Sequence, residues 1–430
     1  MRRRDTSRLV AALSAGPAYV SLFACVSLLR CNVAPVTHDE CHASLARTPG
    51  CPTAALVVMS DFSSTQIALT ALDGRTLCGS FISSARSETT SVSYALSGDV
   101  VLPSTAPASG RAVVIDRYGT NVVSFLEPGS GNVAGQLALG SGFEANLQDY
   151  VELDDTRALV SRWGENPVPG QVPFDAGGDL LLIDTKALEI QGSIALPRDD
   201  DWPPRPAGLT RVGDEVVVTL QRFSFDVRSQ GDAMLVGIAG ETPSVAWTLT
   251  LAGLKNCGPL ALSPDAVVGV LACTGFIDRT GAPVDLSESA VVVFDLATSP
   301  PSELTRFSAA DLAGDPLQAD AEFFAARQVL LKTQTALGSA HDNRVLSLDL
   351  DAGPGSVQTL LEAHPKDGAG QGVVYGGMLC TPGCGDYCLV ADADERVLER
   401  WAITPEGLIP APALAIQGSV GLPPRDVGGQ

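Results

Sequence analysis

Three features of the 430-residue sequence predict an all-β fold, a β-propeller. Short apolar strands are parted by Gly, Pro, Asp and Ser. Two signatures recur at a period of roughly 50 residues. Helical periodicity is nearly absent, residues 308–328 coming nearest to it. The strands are rich in Val, Ile and Leu, as in VVIDR, LLLID, EVVVTL, AVVVFDL and VLSLDL.

The first signature is a turn feeding a strand. It reads ALSGDVVLPS, ELDDTRALVSRW, RVGDEVVVTLQRF and ALSPDAVVGVLAC, and its turn aspartates are Asp99, Asp155, Asp214 and Asp265. The second is an apolar strand ending in Asp73, Asp116, Asp184, Asp295 or Asp349. Together they describe a unit of three or four antiparallel strands. One such sheet cannot bury both its faces alone, whereas blades packed face to face in a closed ring can. Modules begin near Ala54, Thr89, Asn146, Arg205, Lys255, Asp315 and Gln371, which predicts seven blades. The first, residues 54–79, lacks a strand. The surplus strand-like sequence ALAIQGSVGL near the C-terminus is expected to complete it, so that the propeller spans 54–425 and 426–430 is a tail.

The SPD-strand-loop-strand-DLAT rhythm resembles the YncE-like and lactonase-like seven-bladed propellers over roughly residues 54–425. The resemblance implies the fold and, because many of those proteins are exported, an extracytoplasmic setting. No segment matches the metal-binding or catalytic residues of the lactonase type, so it implies no activity.

The N-terminus supports export. Arg2, Arg3, Arg4 and Arg8 precede an apolar run that ends in Leu22-Phe23-Ala24-Cys25, a signal segment (1–24) resembling a lipoprotein cleavage box. Cys25 is then the lipidated residue, and 25–53 a cysteine-bearing linker. Plain cleavage, or an uncleaved anchor reaching Leu29, are the alternatives. The net charge of −21 repels nucleic acid and anionic lipid, leaving the N-terminal lipid as the expected membrane contact.

Ten cysteines in an exported chain read first as disulfides. Cys257 and Cys273 lie symmetrically about Asp265, Cys380 and Cys388 about Cys384, and Cys41 and Cys51 bracket a short loop. These three pairs are the expected bridges. A Cys78–Cys384 bond would latch the first blade to the last, leaving Cys31 over. The stretch CTPGCGDYC has neither the C-x2-C spacing nor the His partners of a zinc site, so a staple is expected there. HDECH, His38 to His42, and Asp199-Asp200-Asp201 read as solvated segments rather than metal sites. No metal or cofactor is expected.

Five long loops, 102–110, 163–179, 222–232, 274–289 and 334–343, are expected to follow second strands and so to share one face. Loops on a rigid scaffold carry function. Arg162, Arg222 and Lys332 fall near the strand ends that feed them, and Arg279 and His341 lie within them. With Trp163, Phe223 and Phe225 they suggest a funnel that holds an anion by Arg forks and stacks a sugar or peptide. The competing reading pairs these cations with Asp and Glu of neighbouring blades. Glu165, Asp226 and Asp278 are in the same loops, but no catalytic motif is recognisable. The sequence therefore points to an exported, monomeric, lipid-anchored scaffold that binds a protein or a small anionic ligand. The alternative is a propeller hydrolase or lyase acting on a sugar or lactone through loop carboxylates and Arg. A structural envelope component is the third reading.

Overall fold

The computed structural model describes residues 51–52, 54–73, 75–84, 94–127, 131–199, 201–277, 284–334, 343–363, 374–416 and 421–429. Cys25, Cys31, Cys41, Arg279 and His341 lie outside them. Among the described residues no helix is long and apolar enough to cross a membrane.

The strands form seven antiparallel sheets of four, the expected propeller. Six blades run in chain order from the channel outward. Their innermost strands are Val100–Val101, Leu147–Glu152, Pro206–Val212, Ala261–Leu262, Leu317–Ala325 and Tyr375–Cys380, in blades 2 to 7. Blade 1 is composite. Pro424–Gly429 is its innermost strand, followed by Ala55–Ser60, Thr65–Thr70 and Thr76–Ser83. Residues 308–328, the nearest to a helical pattern, yield a single helical turn, Ala309–Leu312.

Packing between blades explains the strand sequences. In Ala55–Ser60, Leu56 and Val58 pack on Val100, Ala112 and Val114 of blade 2. Ala55, Val57 and Met59 pack on Leu389, Ala391 and Leu398 of blade 7. Both faces are buried, so such strands read as unbroken apolar runs rather than alternating ones. The recurring aspartates close turns. Asp184 Oδ1 accepts from Lys186 N and Ala187 N, both at 2.8 Å, and Asp349 Oδ1 from Asp351 N and Ala352 N, both at 3.0 Å. These donors hold both carboxyls below their ordinary pKa range. Asp154, rather than its neighbour Asp155, does the same in blade 3.

The ring closes through a different segment from the one expected. Part of ALAIQGSVGL belongs to the outermost strand of blade 7, Gly407–Leu414, and Pro424–Gly429 takes the innermost place in blade 1. The expected tail is thus mostly strand. Small residues suit this crowded position: a Cβ on Gly428 would stand 3.0 Å from the Leu102 side chain.

Three disulfides join described residues. Cys257–Cys273 and Cys380–Cys388 each tie an innermost strand, or the segment leading into it, to the second strand, as expected. The third corrects two expectations. Cys51 bonds Cys384 rather than Cys41, so a latch between first and last blades exists, but not through Cys78. Cys78 packs into the core shared with blade 2, away from blade 7. It is disulfide-bonded too, to none of these six cysteines. CTPGCGDYC is therefore a hairpin stapled at its base whose turn cysteine carries the latch.

Candidate functional site

The blade geometry defines two faces. Connections from second to third strand, and from one blade to the next, emerge together on one, here called upper. Turns from first to second strand emerge on the other. Loops 163–179, 222–232, 274–289 and 334–343 are second-to-third connections, and their described residues share the upper face. Loop 102–110 is a first-to-second turn and leaves from the lower face. In blade 2 the LSGD turn precedes the innermost strand instead of following it, which shifted the reading by one strand.

Seven equivalent backbone hydrogen bonds rim the upper mouth of the channel. Each joins a residue at or near the end of a second strand to one shortly ahead of an innermost strand. The donors are Ser60, Arg117, Trp163, Gln221, Thr274, Gln334 and Ala393, and the acceptors Pro423, Asp99, Asn146, Arg205, Asn256, Pro316 and Val374, at 2.9–3.1 Å. Measured against this rim, Arg162, Arg222 and Lys332 occupy three different positions: one before it, one after it and two before it. They do not converge.

Arg162 is fully buried between blades. Its Nε and Nη2 reach Asp179 Oδ1 and Oδ2, both at 2.7 Å, and Nη2 also donates to Phe174 O at 2.7 Å. Arg222 is ion-paired to Asp199 and donates to Asp232 O at 3.1 Å. Lys332 is 2% exposed on the second strand of blade 6, where it pairs with Asp320 at 2.7 Å and donates to Gly376 O of blade 7. The cations are thus paired with carboxylates, as the competing reading had it, but with those of their own blade or of the segment leading into it rather than of neighbouring blades.

The aromatic residues do come together. Trp163 and Phe223 lie 6.0 Å apart and Phe223 and Phe276 6.3 Å apart, a ridge across blades 3 to 5. Trp163 Nε1 donates to Gln221 Oε1 and Gln221 Nε2 to Asn256 Oδ1, both at 2.9 Å, which ties the three blades at the rim. The cation beside this ridge is Arg205, which the strand-end search passed over because it sits at the head of an innermost strand. Its guanidinium lies 4.1 Å from the Trp163 ring centroid and 5.9 Å from that of Phe225.

Deeper in, the innermost strands line a cavity of about 520 Å³. Asp149, Asp320 and Asp426 lie at bulges of the innermost strands of blades 3, 6 and 1: Asp149 and Asp320 just before the residue that resumes pairing, Asp426 itself the first to resume it, opposite Val58. Asp149 accepts from Leu209 N at 2.7 Å, on the next innermost strand, and Asp426 from Leu102 N at 3.0 Å, just past the next one. Asp320 instead serves Lys332. Glu322, two residues on, is half-buried, and loss of solvent together with the Asp320 charge raises its pKa well above the ordinary carboxyl value. Burial likewise raises Asp426, and pushes Asp149 up to about 6.

Fold and site together define a disulfide-stapled seven-bladed propeller with an aromatic–arginine rim over a carboxylate-lined channel. No protein-family model matches the chain, and no curated protein sequence does. Its fold is similar to that of a periplasmic gluconolactonase from Pseudomonas aeruginosa, at 14% identity and TM-score 0.55 over 87% of this chain and 98% of that one. A candidate 6-phosphogluconolactonase from Bacteroides fragilis matches at 12% and 0.53 over 89% and 99%. A hypothetical selenium-binding protein from Sulfolobus tokodaii matches at 10% and 0.53 over 90% and 95%. At these identities the likeness is one of fold.

Proposed function

We propose that this is an exported, lipid-anchored propeller that works as a binding scaffold, with the upper face recognising a protein or a small anionic ligand. The observation that carries this reading is where the exposed large apolar side chains lie. The four most exposed large apolar side chains among the described residues, Phe62, Tyr118, Val168 and Phe225 at 66, 64, 63 and 58%, are all on second-to-third connections, as is Val172, whereas Val267 is on the lower face and Val245, Leu304 and Ile409 are on outermost strands. Apolar groups concentrated on one face of a rigid body mark an interaction surface. The disulfides fit folding in an oxidising compartment. A thermal-shift screen of carboxylates, phosphates and oligosaccharides tests the reading, repeated with Tyr118, Val168 and Phe225 changed to Ser. Ligands lost in that variant support it, and ligands that bind it equally well refute it. Mass spectrometry of the native protein tests the anchor through an acylated Cys25.

The channel favours a second reading, a hydrolase acting on a lactone. A carboxyl raised by burial, Glu322, beside an ion-paired carboxylate, Asp320, has the parts of a general acid and base. Two structural neighbours are named for gluconolactone chemistry. Hydrolysis of glucono-1,5-lactone in a pH-stat, with Asp320→Asn and Glu322→Gln as controls, tests it. A rate no faster than buffer eliminates lactone hydrolysis.

A further inference from the structure

Two buried charges on the upper face lie near one another without pairing to each other, and each keeps one polar atom without a partner among the described residues. Glu165 ends the second strand of blade 3, and its side chain is 5% exposed. Oε2 has Arg198 at 3.4 Å, while Oε1 has no hydrogen-bond partner among the described residues. Gly178, at φ 59°, makes room for this carboxylate: a Cβ there would stand 2.5 Å from Oε1. Arg205 is 5% exposed, and its Nη1 donates to Trp163 O at 2.9 Å, but its Nε has no partner. Each is the other's charge neighbour, yet they form no contact ion pair. Buried polar groups in folded proteins are almost always satisfied, so two opposed ones left open call for something between them.

The chain goes to some expense to hold Arg205 there. It stands at φ 51°, a left-handed conformation rare for a residue with a side chain, and it lies between Pro204 and Pro206. Strain of this kind collects at binding and catalytic sites. The indole of Trp163 and the exposed ring of Phe225 supply apolar walls.

We propose that Glu165 and Arg205 form a binding site for a small hydroxycarboxylate. The inference rests on the upper face being the recognition surface. Arg205 offers a cationic donor and takes the carboxylate. Glu165 already has Arg198 at its other oxygen, so its open oxygen suits an uncharged donor, the ligand hydroxyl. The carbon chain lies against Trp163, and Phe225 moves aside to admit it.

Isothermal titration of the intact protein with D-gluconate tests this, with D-glucose, which lacks the carboxylate, and propionate, which lacks the hydroxyl, as controls. Gluconate is expected to bind at one site, propionate roughly 10-fold more weakly, and glucose not measurably. Arg205→Met keeps the stem on Trp163 and should weaken gluconate by roughly 10- to 100-fold. Glu165→Gln should weaken it several-fold, and it decides the matter if the first variant fails to fold. No gluconate binding, or equal binding to wild type and the folded variants, overturns the inference. If gluconate fails while other ligands are lost in the Tyr118, Val168 and Phe225 variant, only this site falls. If every ligand of the screen survives in that variant, the recognition face falls with it.

Discussion

Arg162 should act as a structural strut, and replacing it measures how much the strut contributes. In Arg162→Met the Asp179 carboxylate stays buried without its two guanidinium bonds of 2.7 Å. Removing one partner of a buried pair costs about 3–5 kcal/mol. The carbonyl of Phe174 also loses its donor, adding about 1 kcal/mol. The urea midpoint should therefore fall sharply. The double variant Arg162→Met with Asp179→Leu removes the stranded charge and should recover at least about 2 kcal/mol, because an apolar pair of similar volume replaces an ionic one at little net cost. Midpoints at unchanged slope are the comparison, since a ring of seven blades need not unfold in one step. A single variant that loses under about 1 kcal/mol while ligand binding disappears would refute the reasoning and make Arg162 a recognition residue.

The channel and the closure give three more predictions. Asp149, pushed up to about 6 from an unfolded value near 4, takes up a proton on folding. Its contribution is greatest below about pH 4 and is lost as pH rises through 6, about 3 kcal/mol in all. The stability difference between wild type and Asp149→Asn should shrink by about that amount from pH 4 to pH 7, and a difference constant with pH would count against it. Replacing Cys51 and Cys384 together opens a cross-link spanning 333 residues, against 16 for Cys257–Cys273. Chain entropy sets these at about 6 and 3 kcal/mol as upper values, so denaturant midpoints should fall further for the latch. Gly258→Ala puts a Cβ 1.8 Å from Ala319 O and should cost at least about 1–3 kcal/mol, whereas Gly192→Ala, with nothing within 4 Å, should be near neutral by thermal melting.

The fold was legible because burial on both sides writes itself into the second strands and most third strands, and turn aspartates punctuate them. The site was legible in part. Trp163 and Phe223 do meet, and Phe225 shares the Arg205 guanidinium with Trp163, since the loops that carry them leave one face. The cations did not converge, because a shift of one residue turns a side chain to the opposite side of a strand. Arg162 points toward blade 2 and Lys332 toward blade 7. A count from the strand ends would have found Trp163 and Gln221. Arg205 was signalled by the Pro-Pro-Arg-Pro run, whose fixed backbone exposes no periodicity. The Cys51–Cys384 bond had no local signal at all: its partners meet only once the circle is complete.

That completion places a clock on biogenesis. The strand Ala55–Ser60 is among the first parts of the propeller to be made, yet its neighbour Pro424–Gly429 is among the last. Until the final residues arrive, every shorter chain carries an open edge ready to pair with a stranger. A chain delivered across a membrane must therefore finish folding on the far side, after delivery is over. The closing strand and the Cys51–Cys384 bond then act as a receipt for a full-length chain. Loss of the last ten or so residues, by a premature stop or a protease, would leave six whole blades and no ring.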